Sequence, residues 1–321
     1  MSAILPAEEI SLRGLPFAER PRRWKPLANG RIVIGGMILA TVLLACIVSL
    51  FWTLNSHSSL YYENASLGPR LPPSFAAMNR WFGTDLQGRG LLARCLLGGA
   101  ISLAIGLAAA AISVTLGVGV GLFAGYRGGW IDGLLMRSVD ILYGLPYILM
   151  IILLKIALQR PLSNGLHLSG PAANLVVLFL AIGLVSWLTM ARVVRGQVLT
   201  LRTQPFIEAC RASGIGSGRI FFRHLLPNLV GPIVVYATLI VPQAILQESF
   251  LSFLGIGIAP PLPTWGSLAS EGLLPALNPI HERWWLLVIP CVLLGITLLS
   301  LNFLGDGLRD LFDPRRAARK L

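Results

Sequence analysis

Charged residues are scarce in this chain of 321 residues, because Asp, Glu, Lys and Arg together make up only 12% of it. A typical soluble domain carries about 25%. Hydrophobic residues make up 55%, and the mean hydropathy is +0.73. These values exclude an ordinary soluble enzyme, a disordered scaffold and a secreted disulfide module. The composition instead predicts an all-α integral membrane protein.

Clusters of metal-binding or redox side chains are also lacking. The four cysteines are scattered without a C-x-x-C pair, and the four histidines are isolated from one another. Neither a disulfide framework nor a zinc site is indicated by such spacing. We therefore predict no metal site and no catalytic residues. The cysteines are Cys46, Cys95, Cys210 and Cys291.

A phosphate-binding lysine is missing as well. A P-loop requires G-x-x-x-x-G-K-[ST], and none of the three lysines, Lys25, Lys155 and Lys320, follows a glycine. We therefore expect no cofactor in this chain. Acidic residues are almost absent from the middle of the apolar runs, since Asp140 and Glu248 lie near the ends of theirs, which gives an ion-coupled carrier little support. The protein is either a passive pore or is driven by a partner.

Six apolar runs are long enough to cross a bilayer, which needs roughly 20 residues of helix. The first follows a basic segment without a small-residue cleavage site, which predicts a retained anchor. The runs lie near residues 32–54, 100–126, 136–158, 173–193, 229–251 and 284–304. These boundaries predict six transmembrane helices.

The basic residues predict the orientation of these spans. Nineteen of the 26 Lys and Arg residues fall on one side and seven on the other, and basic residues are retained in the cytoplasm. Both termini are therefore predicted to be cytoplasmic. Topology explains the net charge of +12, which leaves nucleic-acid binding without support. The predicted parts are a cytoplasmic segment 1–31, a first anchor 32–54, an extracytoplasmic loop 55–99, a permease core 100–305 and a cytoplasmic tail 306–321.

One cytoplasmic loop, residues 194–228, is much longer than a tight connection between helices. Pro205 favours the start of a helix, and Gly214 favours its end. A second helical run is predicted from Ser217 until Pro227 ends it. The loop suits a groove in a partner protein or, equally, the surface of the lipid headgroups. The outer segment 255–283 contains five prolines, which predicts irregular backbone with short helical pieces at most.

Motifs in this loop and beyond it resemble a known family. Glu208-Ala209-Cys210, then Gly214, then Leu226-Pro227-Asn228 resembles the EAA loop of ABC-importer permeases, with Cys210 where Ala is usual. The chain departs from the family pattern at Gly90 and Ala100. Further motifs resemble permease subunits of the dipeptide/oligopeptide type: Phe82–Asp85, Gly128–Trp130, Glu248-Ser249, Leu251–Gly255, Pro260-Pro261, Trp265-Gly266, Gly305–Asp310 and Asp313-Pro314.

The resemblance implies a type I ABC-importer permease fold in the bacterial inner (cytoplasmic) membrane. Such a subunit pairs with a homologous second permease and sits on two ATP-binding subunits, which bind ATP and Mg²⁺. An extracytoplasmic binding protein delivers the cargo. Di- and oligopeptides are the implied cargo, although nickel chelates and glutathione occur in the same broad family. The alternatives from the residues are an autonomous channel or ion-coupled carrier and, less favoured, a membrane-embedded enzyme.

The resemblance also implies the positions of functional residues. The helix that contains Glu208, Ala209, Cys210, Ala212 and Gly214 is expected to enter a cleft of an ATPase subunit and to couple ATP-driven closure to the spans. We expect Gly214 to set the backbone geometry, Ala209 to permit close approach and Glu208 to orient the helix or pair with a basic residue.

Two further pairs are singled out by their positions. Glu248 and Ser249 are candidates for a gate or substrate path; alternatively, Glu248 bonds the backbone where Pro242 leaves a carbonyl free. Arg137 and Asp140 are three residues apart on a helix and are predicted to form a structural clasp.

Overall fold

The computed structural model describes residues 30–165, 170–280 and 282–312, with side chains omitted for 163–165. Ten α-helices are found there, and within those ranges there is no strand, only one isolated bridge between Thr84 and Gly90. The helices are α1 (Gly30–Thr53), α2 (Leu91–Arg127), α3 (Gly129–Tyr143), α4 (Tyr147–Gly165), α5 (Pro171–Leu201), α6 (Pro205–Ala212), α7 (Ser217–Ile220), α8 (Leu226–Phe253), α9 (Trp265–Ala276) and α10 (Trp285–Phe312).

Within the described ranges, five helical stretches are long and apolar enough to span a membrane: α1, α2, α5, the α7–α8 run Ser217–Phe253, and α10. The predicted third span is not one continuous helix, because α3 and α4 meet at an angle of 98°. Gly144 ends α3, and Pro146 precedes α4. A proline restricts the residue before it and removes a backbone donor, which breaks the helix here. The part of the chain that the structure describes therefore contains five candidate spans, or six if the bent pair crosses as one.

Several helices extend beyond their predicted ends. α2 begins at Leu91, so the loop predicted at 55–99 is shorter, and α5 continues to Leu201, inside the predicted cytoplasmic loop. α10 continues to Phe312, so the predicted tail 306–321 begins as helix and its last part lies outside the described residues. Most of the predicted segment 1–31 also lies outside them.

A stripe of glycines holds α2 against α5. Gly117, Gly121 and Gly125 are spaced four apart and therefore share one face of α2. A Cβ atom at Gly121 would lie 2.4 Å from the carbonyl oxygen of Ala191, and one at Gly117 would lie 2.5 Å from the Cβ of Met190. The two backbones approach so closely that only glycine fits, as is common between membrane helices.

α9 lies at the opposite end of the bundle from α6, and we call these ends the α9 end and the α6 end. α2 runs between them over 37 residues, about 55 Å at 1.5 Å per residue. The segment 255–283 was predicted to be irregular backbone with short helical pieces at most, and it contains one helix of 12 residues, α9, between irregular stretches. Thr264 caps α9 in a reciprocal pair with Ser267, and Trp265 donates its indole N–H to the Cys95 carbonyl at 3.0 Å. These contacts outweigh the proline content of the segment.

Candidate functional site

The ends of α6 are set by local backbone chemistry. Pro205 occupies the first turn, where its missing N–H costs nothing. At the other end, Gly214 has φ of +70° and its N–H reaches the Arg211 carbonyl at 3.0 Å, while the Ile215 N–H reaches the Cys210 carbonyl at 3.1 Å. This pattern is a Schellman motif. The predicted start and stop of this helix are confirmed.

The inner face of α6 packs against the membrane helices. Ile207 is fully buried and lies in one apolar cluster with Val198 from α5 and Leu229 from α8. Cys210 and Ile215 pack against the same cluster, which supplies the apolar contact that often accompanies a Schellman motif. α6 is therefore attached to the ends of both α5 and α8.

The outer face of α6 is exposed when only the described residues are considered. Glu208, Ala209, Ala212 and Gly214 are exposed, and Cys210 is half-buried. Among the described residues, Glu208 has no ion pair and no hydrogen bond to its side chain. The carboxylate of Glu208 is thus available to a partner, and the small side chains of Ala209 and Ala212 allow close approach.

The second helical run does not end at Pro227. α7 passes through a π-helical turn, Phe221–Leu225, directly into α8, and Pro227 lies in the first turn of α8. The N–H of Leu226 bonds the Phe221 carbonyl, five residues back. The wider turn before the proline lets the helix continue without the usual i−4 bond. Tyr126 holds this turn to α2 by an edge contact with Phe221.

Two arginines of α5 bind two aspartates of α3. Arg195 donates to both carboxylate oxygens of Asp132 at 2.5 and 2.7 Å. Arg192 donates to Asp140 at 2.7 Å, with its guanidinium 3.9 Å from the centre of the Tyr143 ring. The predicted clasp between Arg137 and Asp140 is therefore wrong. Arg192 comes from a neighbouring helix and takes the carboxylate, leaving Arg137 exposed.

Glu248 is fully buried where α8 meets α9. One of its carboxylate oxygens accepts hydrogen bonds from the hydroxyls of Ser252 at 2.6 Å and Thr264 at 2.7 Å. The partners are hydroxyls rather than backbone near Pro242. Ser249 is covered by Gly266, where a Cβ atom would lie 2.3 Å from the Ser249 Cα. Both predicted gate residues thus lie inside the α8–α9 contact in this conformation; their role in a substrate path stays a prediction.

Lys155 of α4 is a structural residue that the sequence analysis missed. Its side chain is buried, and its ammonium donates to the carbonyls of Ile256 and Gly257, at 2.7 Å to the latter. These carbonyls follow the C-terminus of α8, where a cation is favoured. Lys155 therefore ties the broken third span to the loop between α8 and α9.

A network of ion pairs lies at the start of α2, at the α9 end. Arg94 is almost fully buried and donates to Asp85 at 2.8 Å and to Glu271 of α9 at 2.7 and 3.1 Å. Arg89 donates to Asp85 at 2.6 Å. The network borders a cavity of about 560 Å³. Glu63 also lines this cavity.

Metal-ligating side chains do not converge in the part of the chain that is described: it contains no group of three His, Cys, Asp or Glu able to hold an ion. Two features are therefore the candidate functional sites. One is α6 at the α6 end, and the other is the ion-pair network around Arg94 at the α9 end.

A family profile and several known proteins match this chain over most of its length. The profile of the family described as "Binding-protein-dependent transport system inner membrane component" matches residues 117–318. The "Oligopeptide transport system permease protein OppC" of Escherichia coli K12 is 39% identical over 310 residues, covering 96% of this chain and 95% of that protein. The "Dipeptide transport system permease protein DppC" of Bacillus subtilis 168 is 39% identical over 293 residues, with 91% and 84% covered.

A solved structure has a similar fold. A chain from inward-facing conformations of the MetNI methionine ABC transporter matches with a TM-score of 0.53 at 21% identity, covering 69% of this chain and 97% of that one. At this identity the similarity concerns the fold alone. It confirms the predicted all-helical importer-permease fold.

Proposed function

Because the chain belongs to the family of binding-protein-dependent transport system inner membrane components, we propose that it is one permease subunit of an ATP-driven importer of di- or oligopeptides. A homologous permease would complete the translocation pathway. Two ATP-binding subunits would bind ATP and Mg²⁺, and an extracytoplasmic binding protein would deliver the peptide. The peptide cargo is supported by relatives named as oligopeptide and dipeptide permeases.

The observation that carries the proposal is the position of α6. Ile207 anchors it to the membrane helices, while Glu208, Ala209 and Ala212 face solvent. A partner that moves α6 would move the attached ends of α5 and α8 with it, since all three share one apolar cluster. Packed elements move as rigid bodies more readily than they deform. Closure of an ATPase dimer against α6 would therefore change the opening of the pathway.

The distribution of basic residues supports an orientation of the subunit in the membrane. Of the arginines in the described ranges, most lie at the α6 end, which would face the cytoplasm of a bacterial cell, where ATP is available. The α9 end would then face the binding protein on the other side of the inner membrane. In this orientation both termini would be cytoplasmic.

Site-directed cross-linking tests the contact between α6 and the ATPase. We would replace Cys210 and Cys291 by alanine, introduce Ala212→Cys, and treat the assembled complex with a short thiol cross-linker. The expected product joins this chain to an ATP-binding subunit. Leu277→Cys at the α9 end is the matched control and should yield no such product. Absence of the Ala212→Cys product in a transporting complex would contradict the proposed contact.

The role of Glu208 has its own test. Glu208→Lys reverses the charge on an exposed position, so the fold should persist while ATP-dependent uptake falls. Glu282→Lys makes the same change on an exposed loop residue at the α9 end and should leave coupling to ATP hydrolysis intact. Unchanged uptake by the Glu208→Lys complex would show that Glu208 has no role in coupling.

A further inference from the structure

The cavity at the α9 end has the size of a ligand site. Its volume of about 560 Å³ lies within the roughly 300–1,000 Å³ range of small-molecule pockets. One part of its wall is aliphatic and another is charged. The aliphatic part includes Leu86, Leu268, Leu286 and Pro260.

The charged part of the wall contains three carboxylates, and two of them are neutralised by arginines. Asp85 accepts hydrogen bonds from the backbone N–H of Gln87 and Arg89 and from the guanidinium groups of Arg89 and Arg94. Glu271 receives both terminal nitrogens of Arg94. Two arginines thus balance two acids, and the carboxylates most deeply placed in the network already have partners.

Glu63 is the third carboxylate of the cavity wall, and no arginine of the network neutralises it. Its partners among the described residues are neutral tyrosines: the Tyr61 hydroxyl donates to Glu63 at 2.8 Å, which raises the pKa of Tyr61 to about 12, and the Tyr62 hydroxyl is a second partner. No ion pair to Glu63 is found among the described residues. The cavity wall therefore carries one net negative charge, on the half-buried carboxylate of Glu63. The side chain of Glu271, also on the wall, remains 44% exposed.

We propose that this cavity receives one basic side chain, a lysine or arginine, from the extracytoplasmic binding protein. The charged head would pair with Glu63, and the aliphatic stem would lie along the apolar wall, as such side chains do when they cover hydrophobic surface. This inference rests on the proposed function, which requires a partner to dock at the α9 end. It adds the place and the chemistry of one contact.

The surface beside the cavity suits a protein partner. Leu274 lies about one turn from Glu271 on α9 and is 79% exposed, and Leu277 is 68% exposed. Exposed apolar residues next to a charged rim are typical of protein interfaces. We expect the same partner to cover these leucines when it fills the cavity.

The test measures docking in the reconstituted complex with the peptide-loaded binding protein. The concentration of binding protein that gives half-maximal ATP hydrolysis should rise roughly three- to tenfold in Glu63→Gln, because one charge pair is lost. Maximal hydrolysis should be unchanged, and the dependence on salt should weaken. Glu282→Gln, an exposed acid of the same end outside the cavity, should behave as wild type. Leu274→Ser should weaken docking without changing the salt dependence.

The source of the cation is identified by changing the binding protein. Each lysine and arginine on its docking face is replaced in turn by glutamine, and one replacement should abolish the difference between wild type and Glu63→Gln. A difference that survives every replacement but disappears with an N-acetylated peptide would assign the cation to the cargo and overturn the proposal.

Failure of the proposed function and failure of the cavity proposal give different results. A wild-type complex that no binding protein stimulates would contradict the proposed function itself. Stimulation with the same half-saturation in wild type and Glu63→Gln would overturn the cavity proposal alone. Melting of the purified Glu63→Gln complex at the wild-type temperature confirms that the substitution leaves the fold intact.

Discussion

The hydroxyl of Thr264 donates a hydrogen bond to the carboxylate of Glu248, with 2.7 Å between the two oxygens. Thr264 is also the N-cap of α9 and receives the backbone N–H of Ser267 at 3.0 Å. One buried carboxylate of α8 therefore holds the residue from which α9 starts. Through one oxygen, Glu248 accepts hydrogen bonds from Ser252 of its own helix and from Thr264 at the start of α9, which favours a role in positioning α9 over direct contact with cargo.

Loss of that carboxylate should loosen α9. Glu248→Ala leaves the buried hydroxyls of Ser252 and Thr264 without their acceptor, which costs about 1–3 kcal/mol. Glu248→Gln keeps an acceptor oxygen and should lose less. Thermal unfolding of the detergent-purified complex measures both, with Glu282→Ala as the exposed control. Wild-type stability combined with abolished uptake in Glu248→Ala would instead favour a role in the substrate path.

The end of α6 should depend on glycine at one position. Gly214→Ala places a side chain in the left-handed region, which costs about 1–2 kcal/mol, and the strain falls on the surface that we expect to meet the ATPase. ATP-driven uptake should decrease several-fold. Gly218→Ala is the control, since Gly218 has open space around it and no positive φ. Equal uptake by the two variants would show that coupling tolerates a different end to α6.

The glycine stripe makes a prediction about packing. Gly121→Val forces α2 away from the Ala191 carbonyl, and overpacking of this kind costs about 1–3 kcal/mol or more. We expect a lower melting temperature and a reduced yield of folded protein. Gly119→Val adds the same side chain on the exposed face of α2, where nothing lies within 4 Å, and should be tolerated. Similar losses in both variants would indicate an effect of valine on the helix itself.

The two ion pairs between α3 and α5 should differ in their contribution to stability. Asp132 is 12% exposed and binds Arg195 through two hydrogen bonds, whereas Asp140 is 60% exposed and binds Arg192 through one. Asp132→Asn should therefore cost about 1.5–3 kcal/mol, and Asp140→Asn less than about 1 kcal/mol. Thermal unfolding of the two variants gives the comparison directly. The reverse order would mean that exposure does not govern these pairs.

Local signals in the sequence predicted the two ends of α6 well. Pro205 and Gly214 act on their own turns of backbone, so their effects can be read without knowledge of the fold. Gly144 and Pro146 are equally local, but the predicted span 136–158 gave hydrophobicity more weight than these breakers. The bend between α3 and α4 was therefore available in the sequence and was missed.

Long-range contacts account for the other differences between the predicted and the observed structure. The early start of α2 places Arg94 inside the protein, which is acceptable only because Glu271, 177 residues away, neutralises it. Arg192 lies 52 residues from Asp140, so spacing along one helix pointed to Arg137 instead. The close approach at Gly121 likewise needs α5 as its partner. None of these pairings follows from periodicity alone.

Uptake into proteoliposomes tests the central claim most directly. Vesicles would contain either the two permease subunits alone or the permeases with both ATP-binding subunits, supplied with the binding protein and labelled peptide. We expect accumulation only in the complete complex, only with ATP and Mg²⁺, and its loss when ATP is replaced by a non-hydrolysable analogue. Peptide accumulation by the permeases alone would contradict the account, because it would make this chain part of an autonomous carrier.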